Sequence, residues 1–431
     1  MAKVQRLPVG RKPGQRRIEL PEQVQVSLAE LAGRAKQGLL AFAVGVGLEV
    51  FRTLLEEDVT ALVGPKGRHN PDRVAYRHSV ERSSVVLGGR KVAIDRQRVR
   101  STAGEELALP TWAAFSGEEI LSELATERML AGLSSRRYEV GLEPVGDVEG
   151  SGTSKSSVSR RFVARTRTAL GELMARDLSE LKLCAIFGDG IELAGHTVVV
   201  AVGVDHDGNK HVLGLREGST ENATVCAGLL SDLVDRGLDV SEGILLVLDG
   251  GKGWRKAVRD VFGDLAVVQR CRLHKERNVI GYLPDHLHPE VRRRLRRAWG
   301  KEGYQQALDA LEAVARWLER LGHPSAAGSV REGMEETLTI TRLGVPPKLQ
   351  VSLFSTNIVE SAISVGRTVM GNVKRWRPRS KTRMIERWCA AGLLIAERQF
   401  RRVKGYREIP VLVAALKAHA EHVSEAGARV A

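Results

Sequence analysis

Two short apolar runs, LKLCAIFGDG at residues 181–190 and GILLVLDG at residues 243–250, decide the fold of this chain. Each run is typical of a buried strand and ends in an Asp–Gly pair, at Asp189 and at Asp249. Between them lie the strand patterns HTVVVAVGVD and KHVLGLREG, joined by the turn HDGN, and the amphipathic helix pattern ATVCAGLLSDLVDRGL. The sequence therefore predicts three consecutive antiparallel strands, then a helix and a fourth strand that is buried on both faces.

The pattern continues with a helix, a fifth strand in LAVVQRC and a further helix. Three antiparallel strands followed by alternating helices and strands is the order of a ribonuclease H-like α/β core. The first and fourth strands of such a sheet are neighbours, so Asp189 and Asp249 are predicted to lie side by side. Glu360, in the helix pattern STNIVESAISVGR at residues 355–367, is the third candidate acid. Together these carboxylates can hold the two divalent cations that clamp the attacking and leaving oxygens of a phosphodiester.

Each acid also has an ordinary structural interpretation. Asp–Gly is often only a turn, and most glutamates on helices are solvated. Five nearby acids compete for the same roles: Glu192, Asp205, Asp207, Asp232 and Asp235. The strand order on a basic chain favours Asp189, Asp249 and Glu360.

Composition indicates a polyanion partner. The 431 residues carry a net charge of +14, and residues 367–407 hold thirteen Lys or Arg against the two acids Glu386 and Glu397. Basic side chains that neutralise phosphates release counterions, so DNA is the expected partner, and a merely basic soluble protein is the alternative. Four scattered cysteines indicate a reducing compartment. With no secretory signal, and an apolar stretch at residues 38–48 too short to span a bilayer, we expect a cytoplasmic protein without membrane contact.

A candidate DNA-reading helix follows the Gly-rich turn in GSGTSKSSVSRRFVARTRTAL at residues 150–170. Thr153 or Ser154 can cap this helix, and Val158 with Phe162 would dock it. The preceding helix patterns could complete a helix-turn-helix, although an ordinary capped surface helix gives the same pattern. The residues predicted to contact DNA, including an aromatic that could stack on a base, are Lys155, Ser157, Arg160, Arg161, Arg367, Lys374, Arg375, Trp376 and Arg377.

The sequence is predicted to divide into seven segments, from a flexible basic arm to a C-terminal tail. They are the basic arm (1–26), a helical region with a small β-hairpin turned at Gly88–Gly89 (27–115), the helix-turn-helix domain (116–175), the first part of the ribonuclease H-like core (176–280), a helical insertion (281–350), the second part of the core with the Glu360 helix and basic helices (351–415), and the tail (416–431).

Four motifs resemble those of the Mutator-type transposases of bacterial insertion sequences, a DDE family. They are GDGIEL at 188–193, LDGGKGW at 248–254, QRCRLHKERNV at 269–279 and STNIVESAISVGR at 355–367. The resemblance implies a catalytic triad of Asp189, Asp249 and Glu360 that binds two Mg²⁺ ions, with Mn²⁺ as a plausible substitute. It also implies an all-helical insertion before the Glu360 helix, and it maps the family's Cys-x-x-His motif onto Cys271 and His274. Two such ligands fall short of the four of structural zinc, so a structural role near the active site is expected.

By this resemblance the chain is expected to bind terminal inverted repeats and to catalyse metal-dependent cleavage and strand transfer. Its partners would be the transposon ends, the target DNA and at least one further copy of itself, in the cytoplasm and on the nucleoid when DNA is bound. Two alternatives stay open: another ribonuclease H-like nuclease, such as a junction resolvase, and a catalytically silent transposase relative that acts as a DNA-binding regulator.

Overall fold

The computed structural model describes residues 45–68, 73–116, 118–142, 150–193, 195–371, 373, 376 and 382–430. The chain divides into two compact units, Met1–Leu121 with Arg136–Lys155 and Ser122–Ser135 with Ser156–Ala431. The predicted basic arm and the helical patterns before residue 45 lie outside the described residues. In the described part of the chain, no helix is long and apolar enough to cross a membrane.

The first unit contains a small antiparallel sheet. Its main hairpin turns at Gly88 and Gly89, where Leu87 pairs with Arg90. Both glycines have positive φ, +58° and +78°, which is the backbone that a two-residue hairpin turn requires. The elements of this unit are α1 (residues 45–63), β1 Ala75–Leu87, β2 Arg90–Ser101, β3 Glu106–Leu107, α2 Pro110–Phe115 and β4 Gly150–Ser151.

One face of α1 forms the core of this unit. Its buried residues, Leu48, Phe51, Leu55 and Val59, recur every three or four positions, which is the spacing of one helix face. They cluster with inward side chains of β1 and β2. The ring of Phe51 lies 5.4 Å from that of Phe115 in an edge-on arrangement, so α2 closes the same core.

The second unit is built on a five-stranded mixed sheet in the order β7-β6-β5-β8-β9. β5, β6 and β7 are antiparallel neighbours, whereas β8 runs parallel to β5 and β9 runs parallel to β8. This is the succession of strands that the apolar patterns predict. The strands are β5 Leu183–Leu193, β6 His196–Asp205, β7 Lys210–Gly218, β8 Ile244–Leu248 and β9 Ala266–Arg270.

Helices cover both faces of this sheet. Alternate residues of each strand point to opposite faces, so each strand contributes side chains to both hydrophobic cores. Phe187 and Ile191 of β5 belong to a cluster with α4, α13, α14 and α15, whereas Ile186 belongs to a cluster with α5 and α6. The bounds of these six helices, and of two further helices, α3 and α7, are α3 Glu118–Leu130, α4 Lys155–Met174, α5 Ala223–Asp235, α6 Lys252–Phe262, α7 Arg272–Ile280, α13 Asn357–Met370, α14 Met384–Arg398 and α15 Ile409–Val430.

Between α7 and α13 the chain is helical. Leu295, Leu311 and Val330 belong to a separate hydrophobic cluster that this segment forms largely by itself. The buried Lys275 of α7 donates to the carbonyl of Ser329 at 2.7 Å and pairs with Glu332 at 3.0 Å, which anchors the segment. Its helices are α8 His288–Trp299, α9 Tyr304–Arg320, α10 Pro324–Arg331, α11 Thr339–Arg342 and α12 Pro347–Leu353.

The predicted helix-turn-helix segment, residues 116–175, is divided between the two units. Much of α4 packs into the core beside the sheet: Phe162 lies 4.5 Å from Trp388 between ring centroids, and Leu170 and Leu173 are buried. The buried Arg387 also donates to Thr166 of α4 at 2.6 Å. Most of α4 is therefore a core helix, and its role as a recognition helix stays a prediction.

α13 and α14 approach closely where two glycines meet. A methyl group built on Gly392 of α14 would lie 2.7 Å from the Cα of Gly366, which is closer than real side chains pack. A methyl group on Gly366 would find only ordinary contacts at 3.8 Å and beyond. Because α13 carries Glu360, this contact helps to set the position of that acid.

We predict that Gly392→Ala destabilises the protein whereas Gly366→Ala does not. The first substitution forces two packed helices apart, which typically costs about 1–3 kcal/mol. The second removes a flexible glycine from a helix without a clash, so its effect stays within about 1 kcal/mol of zero or stabilises. Urea denaturation of the two variants measures the difference, and equal midpoints would contradict the close-packing explanation.

Candidate active site

The parallel pairing of β5 with β8 brings Asp189 and Asp249 close together. Asp249 directly follows the last residue of β8, as predicted. Asp189 instead lies within β5, which continues to Leu193 because its second half pairs with β6, so the predicted strand end at Asp189 is wrong. Phe187 of β5 pairs with Val247 of β8, and each aspartate follows its paired residue by two positions. Each carboxylate is oriented by a nearby backbone N–H: Gly190 donates to Asp189 Oδ1 at 2.8 Å, and Gly251 donates to Asp249 Oδ1 at 2.7 Å. The predicted juxtaposition of the two aspartates is therefore present.

Glycines around these aspartates make room for neighbouring side chains. A methyl group on Gly188 would lie 2.8 Å from the buried ring of Trp254, and one on Gly190 would lie 2.5 Å from Glu221 Oε2. Gly250 has a φ of +100°, and a methyl group there would clash with Arg270. The glycines of the GDG and DGG motifs are thus required by close approach and by backbone conformation.

Glu360 reaches the site from the first turn of α13. Thr356 Oγ1 donates a hydrogen bond to Glu360 Oε1 at 2.6 Å. His274 Nδ1 lies 3.9 Å from the same carboxylate oxygen. The carboxyl group of Glu360 is therefore held by a hydroxyl group and faces an imidazole.

Cys271 and His274 lie beside Glu360, at the start of α7. The buried Cys271 sulfur accepts from the backbone N–H of His274 and from that of Thr356, both at 3.5 Å. The thiolate is disfavoured by burial, but hydrogen bonds from His274 and Thr356 outweigh this and lower the pKa of Cys271. A hydrogen bond to Cys271 raises the pKa of His274 despite burial, and the charges of Glu360 and Asp189 add to the effect.

The ligand atoms of Cys271, His274 and Glu360 lie within 4.8 Å of one another. Three donors are one fewer than structural zinc requires. The sulfur contacts instead connect the start of α7 to Thr356, which precedes α13. This geometry is consistent with bracing of Glu360, and the structural role of the pair stays a prediction.

Burial and neighbouring negative charges raise the pKa of two acids of the site, Asp189 and Glu221. Burial raises the pKa of Asp189 to about 6, and the negative charges of Asp249 and Glu360 add to this, while the Gly190 N–H opposes it. Burial and the charges of Asp249 and Asp189 raise the pKa of Glu221 to about 7, opposed by Trp254 and His274. Strongly shifted acids that face each other are typical of functional sites.

Glu221 is a residue that the sequence pattern did not single out. It lies in the loop between β7 and α5, directly before the N-cap Asn222. A glutamate in a Ser/Thr-rich loop before a capped helix has no distinguishing pattern, and only the fold brings it to Asp189. The one available signal was that this loop follows β7, the strand that pairs with β6, whose other neighbour is β5.

The residues predicted to bind DNA are only partly within the described chain. Lys155 and Arg160 are exposed on the first two turns of α4, where Arg161 contacts Ser157. Arg367 is exposed in the last turn of α13. Trp376 is partly buried against the core beside the sheet. Lys374, Arg375 and Arg377 lie outside the described residues.

An α/β core with acids gathered at one sheet edge is compatible with a nuclease-like class of enzyme. The chain belongs to the Mutator family of transposases, because residues 34–373 match the family model described as "Transposase, Mutator family". It is 30% identical over 254 residues to the transposase for insertion sequence element IS6120 of Mycolicibacterium smegmatis, covering 57% of this chain and 76% of that protein.

Two further relatives match over a longer part of the chain. The transposase for insertion sequence element ISRM5 of Rhizobium meliloti is 26% identical over 323 residues, which cover 72% of this chain and 78% of the relative. The transposase for insertion sequence element IS1201 of Lactobacillus helveticus is 23% identical over 318 residues, which cover 72% and 82%. The family resemblance stated from the four motifs is thereby confirmed.

We predict that the metal-free protein loses stability as the pH rises from about 4 to about 6. The pKa of Asp189 is raised to about 6 in the folded state, so the folded state binds this proton more tightly than the unfolded chain. The free energy of unfolding therefore falls as the pH rises, until Asp189 is ionised in both states. The loss from this group is on the order of 3 kcal/mol. Glu221 adds to it up to about pH 7.

Asp189→Asn tests this prediction, because the amide cannot ionise and can still accept from Gly190. In the presence of EDTA, the variant should unfold at higher urea concentration than the wild type at pH 8, and its stability should change less with pH. Asp235→Asn, at an exposed acid of α5, is the matched control. Parallel stability curves for wild type and Asp189→Asn would show that Asp189 is not destabilised in the folded state.

Proposed function

We propose that this chain is a DDE transposase that binds the terminal inverted repeats of an insertion sequence and catalyses cleavage and strand transfer with Asp189, Asp249 and Glu360. The observation that carries the proposal is that Asp189 and Asp249 each lie two residues beyond the last paired residues of β5 and β8, Phe187 and Val247. Glu360 adds a third carboxylate whose charge acts on Asp189. Membership of the Mutator family supports the choice of DNA as the substrate.

A ribonuclease H-like core is part of this proposal. Its support is the strand order β7-β6-β5-β8-β9, with the first three strands of the unit antiparallel and the last two parallel to β5. The acids lie at the carboxyl end of β8, at the edge where crossover loops leave the sheet. Such an edge is where open α/β sheets bind their ligands.

By the chemistry of its donor atoms, the site is proposed to bind two Mg²⁺ ions, with Mn²⁺ as a substitute. Mg²⁺ prefers carboxylate oxygens, and Asp189, Asp249 and Glu360 supply them. Burial raises the pKa of Asp189, and the negative charges of Asp249 and Glu360 add to this, so a bound cation would offset an unfavourable concentration of negative charge. When bound, two such cations polarise the phosphodiester and stabilise its attacking and leaving oxygens.

The proposed reaction has two steps at the same site. A water molecule attacks the phosphodiester at the transposon end and releases a 3′-hydroxyl. This hydroxyl then attacks a phosphodiester of the target DNA, forms a new phosphodiester with the target 5′ end and displaces the target strand's 3′-hydroxyl. Asp189 and Asp249 are held for both steps by the N–H groups of Gly190 and Gly251. Thr356 orients Glu360. No covalent protein–DNA bond is required.

DNA would be held by basic side chains that the fold leaves exposed. Lys155 and Arg160 at the start of α4 and Arg367 at the end of α13 are such residues. The helix-turn-helix assignment rests on the exposed, basic first turns of α4, while the rest of the helix anchors it in the core. Bringing two transposon ends together would require at least a dimer.

We predict that Asp249→Asn abolishes transposition without abolishing DNA binding. A neutral amide is a poor ligand for a divalent cation, whereas the basic surface is unchanged. A donor plasmid that carries the flanking ends of the gene is combined in cells with each protein, and joined ends are detected by amplification. Binding of the ends is measured separately with purified protein.

Asp235→Asn is the control and should give joined ends at the wild-type level. Equal product from wild type and Asp249→Asn would remove Asp249 from the mechanism. Binding of the ends without product from any of the proteins would favour a catalytically silent regulator. Cleavage of branched DNA without regard to the terminal repeats would favour another type of nuclease.

We predict that Lys155→Ala and Arg160→Ala weaken DNA binding on all sequences and reduce its salt dependence. Each lost phosphate contact lowers the slope of log K against log salt by about 1. Binding measured at several salt concentrations gives the slope. Arg320→Ala, at an exposed arginine of α9, is the control, and slopes that match across all three variants would exclude α4 from the DNA surface.

A further inference from the structure

Glu221 approaches the two aspartates from the face of the sheet opposite to Glu360. Glu221 directly precedes the N-cap of α5, a helix that packs with α6 on the face to which Ile186 points. Glu360 lies on α13, which packs on the face to which Phe187 and Ile191 point. Asp189 and Asp249, on adjacent strands, therefore have one glutamate on each side.

Two glycines, Gly190 and Gly253, allow Glu221 to come this close. A methyl group on Gly190 would lie 2.5 Å from Glu221 Oε2, and one on Gly253 would lie 3.0 Å from the Glu221 carbonyl oxygen. At Gly251 a methyl group would lie 3.1 Å from Asp249 Oδ1 and 3.7 Å from Glu221 Oε1. The two carboxylates thus share the space over Gly251, where a single cation could contact both.

One oxygen of Glu221 has no partner within the described chain. Glu221 Oε1 is shielded from solvent and accepts no hydrogen bond from any described residue. The indole N–H of Trp254 lies near enough to favour the carboxylate, yet it too lacks a well-formed hydrogen bond among those residues. A shielded carboxylate oxygen without a well-formed hydrogen bond is costly, so a cation that binds this oxygen would stabilise it.

We propose that Glu221 is a fourth carboxylate of the active site, which binds the divalent cation held by Asp249 on the side away from Glu360. This inference rests on the proposed function, because it concerns the same metal site. A cation at this position would satisfy the shielded oxygen and offset the repulsion between Glu221 and the aspartates. It would also give each side of the aspartate pair its own glutamate, which suits a site for two cations.

The test measures Mn²⁺ binding to the purified full-length protein by titration calorimetry and by electron paramagnetic resonance of free Mn²⁺. Glu221→Gln keeps the shape of the side chain and removes its charge. We expect its Mn²⁺ dissociation constant to rise roughly tenfold or more, as expected for loss of a ligand or its close support. Mn²⁺ should also raise the melting temperature of this variant less than that of the wild type.

Glu192→Gln is the matched control, because Glu192 is exposed on β5 three residues after Asp189. Its Mn²⁺ affinity should equal that of the wild type. Cleavage of an oligonucleotide that carries the transposon end should fall in Glu221→Gln at low metal concentration and recover in part at high concentration. Loss of cleavage at every metal concentration with unchanged Mn²⁺ affinity would overturn the proposal.

Gly190→Ala gives a second, independent test that keeps every carboxylate. The added methyl group must displace the Glu221 carboxylate, so weaker Mn²⁺ binding is again expected, with little further loss when Glu221→Gln is added. Additive losses from the two substitutions would contradict the proposal. This variant also decides the outcome should Glu221→Gln fail to fold.

Asp249→Asn separates this inference from the proposed function. Weak Mn²⁺ binding in Asp249→Asn together with wild-type binding in Glu221→Gln would overturn the role of Glu221 alone. Unchanged Mn²⁺ binding in both variants would remove the metal site itself. Weak binding in both is the expected result.

Discussion

Negative charge concentrated at a shielded sheet edge is the constraint on which the rest of the second unit depends. The pairing of β5 with β8, which ends two residues before each aspartate, brings Asp189 and Asp249 together. Burial and mutual repulsion raise the pKa of Asp189 to about 6 and that of Glu221 to about 7. In such a site the charge must be balanced by protons or by cations, which is why the arrangement suits metal-dependent chemistry.

The residues around the acids hold this unfavourable arrangement in place. Backbone N–H groups of Gly190 and Gly251 each orient one aspartate. Thr356 orients Glu360, and the Cys271 sulfur accepts from the Thr356 backbone, so that α7 and α13 are connected at their starts. The site is thus assembled from several short contacts, each from a different element. The folding energy of the large cores on both faces of the sheet supports it.

Much of the sheet could be predicted from local pattern. The runs ending at Asp189 and Asp249 are continuous, apolar and short, and such runs form strands wherever they are buried. The hairpin turns at Gly88–Gly89 and at HDGN follow from residues that adopt turn conformations at low cost. The adjacency of the two aspartates followed from the strand order, which short connections and alternating helices leave with few alternatives.

Other features depended on contacts between distant parts of the chain. α4 has an exposed basic start, yet Phe162 packs on Trp388 and makes most of the helix part of the core. Glu221 has no recognisable local pattern, and Gly190 and Gly253 are what let it approach. In the sequence, Thr356 has the pattern of an ordinary residue before a helix. In the structure its hydroxyl contacts both Cys271 and Glu360.

By itself, the sequence determined the succession of strands and the proximity of Asp189 to Asp249, because these depend on the alternation and apolarity of neighbouring residues. Only the tertiary structure decided which loop faces the aspartates and which side chain fills the space beside each glycine. Those outcomes depend on which distant segments pack together, and the energy of that packing is spread over many residues that no single motif contains.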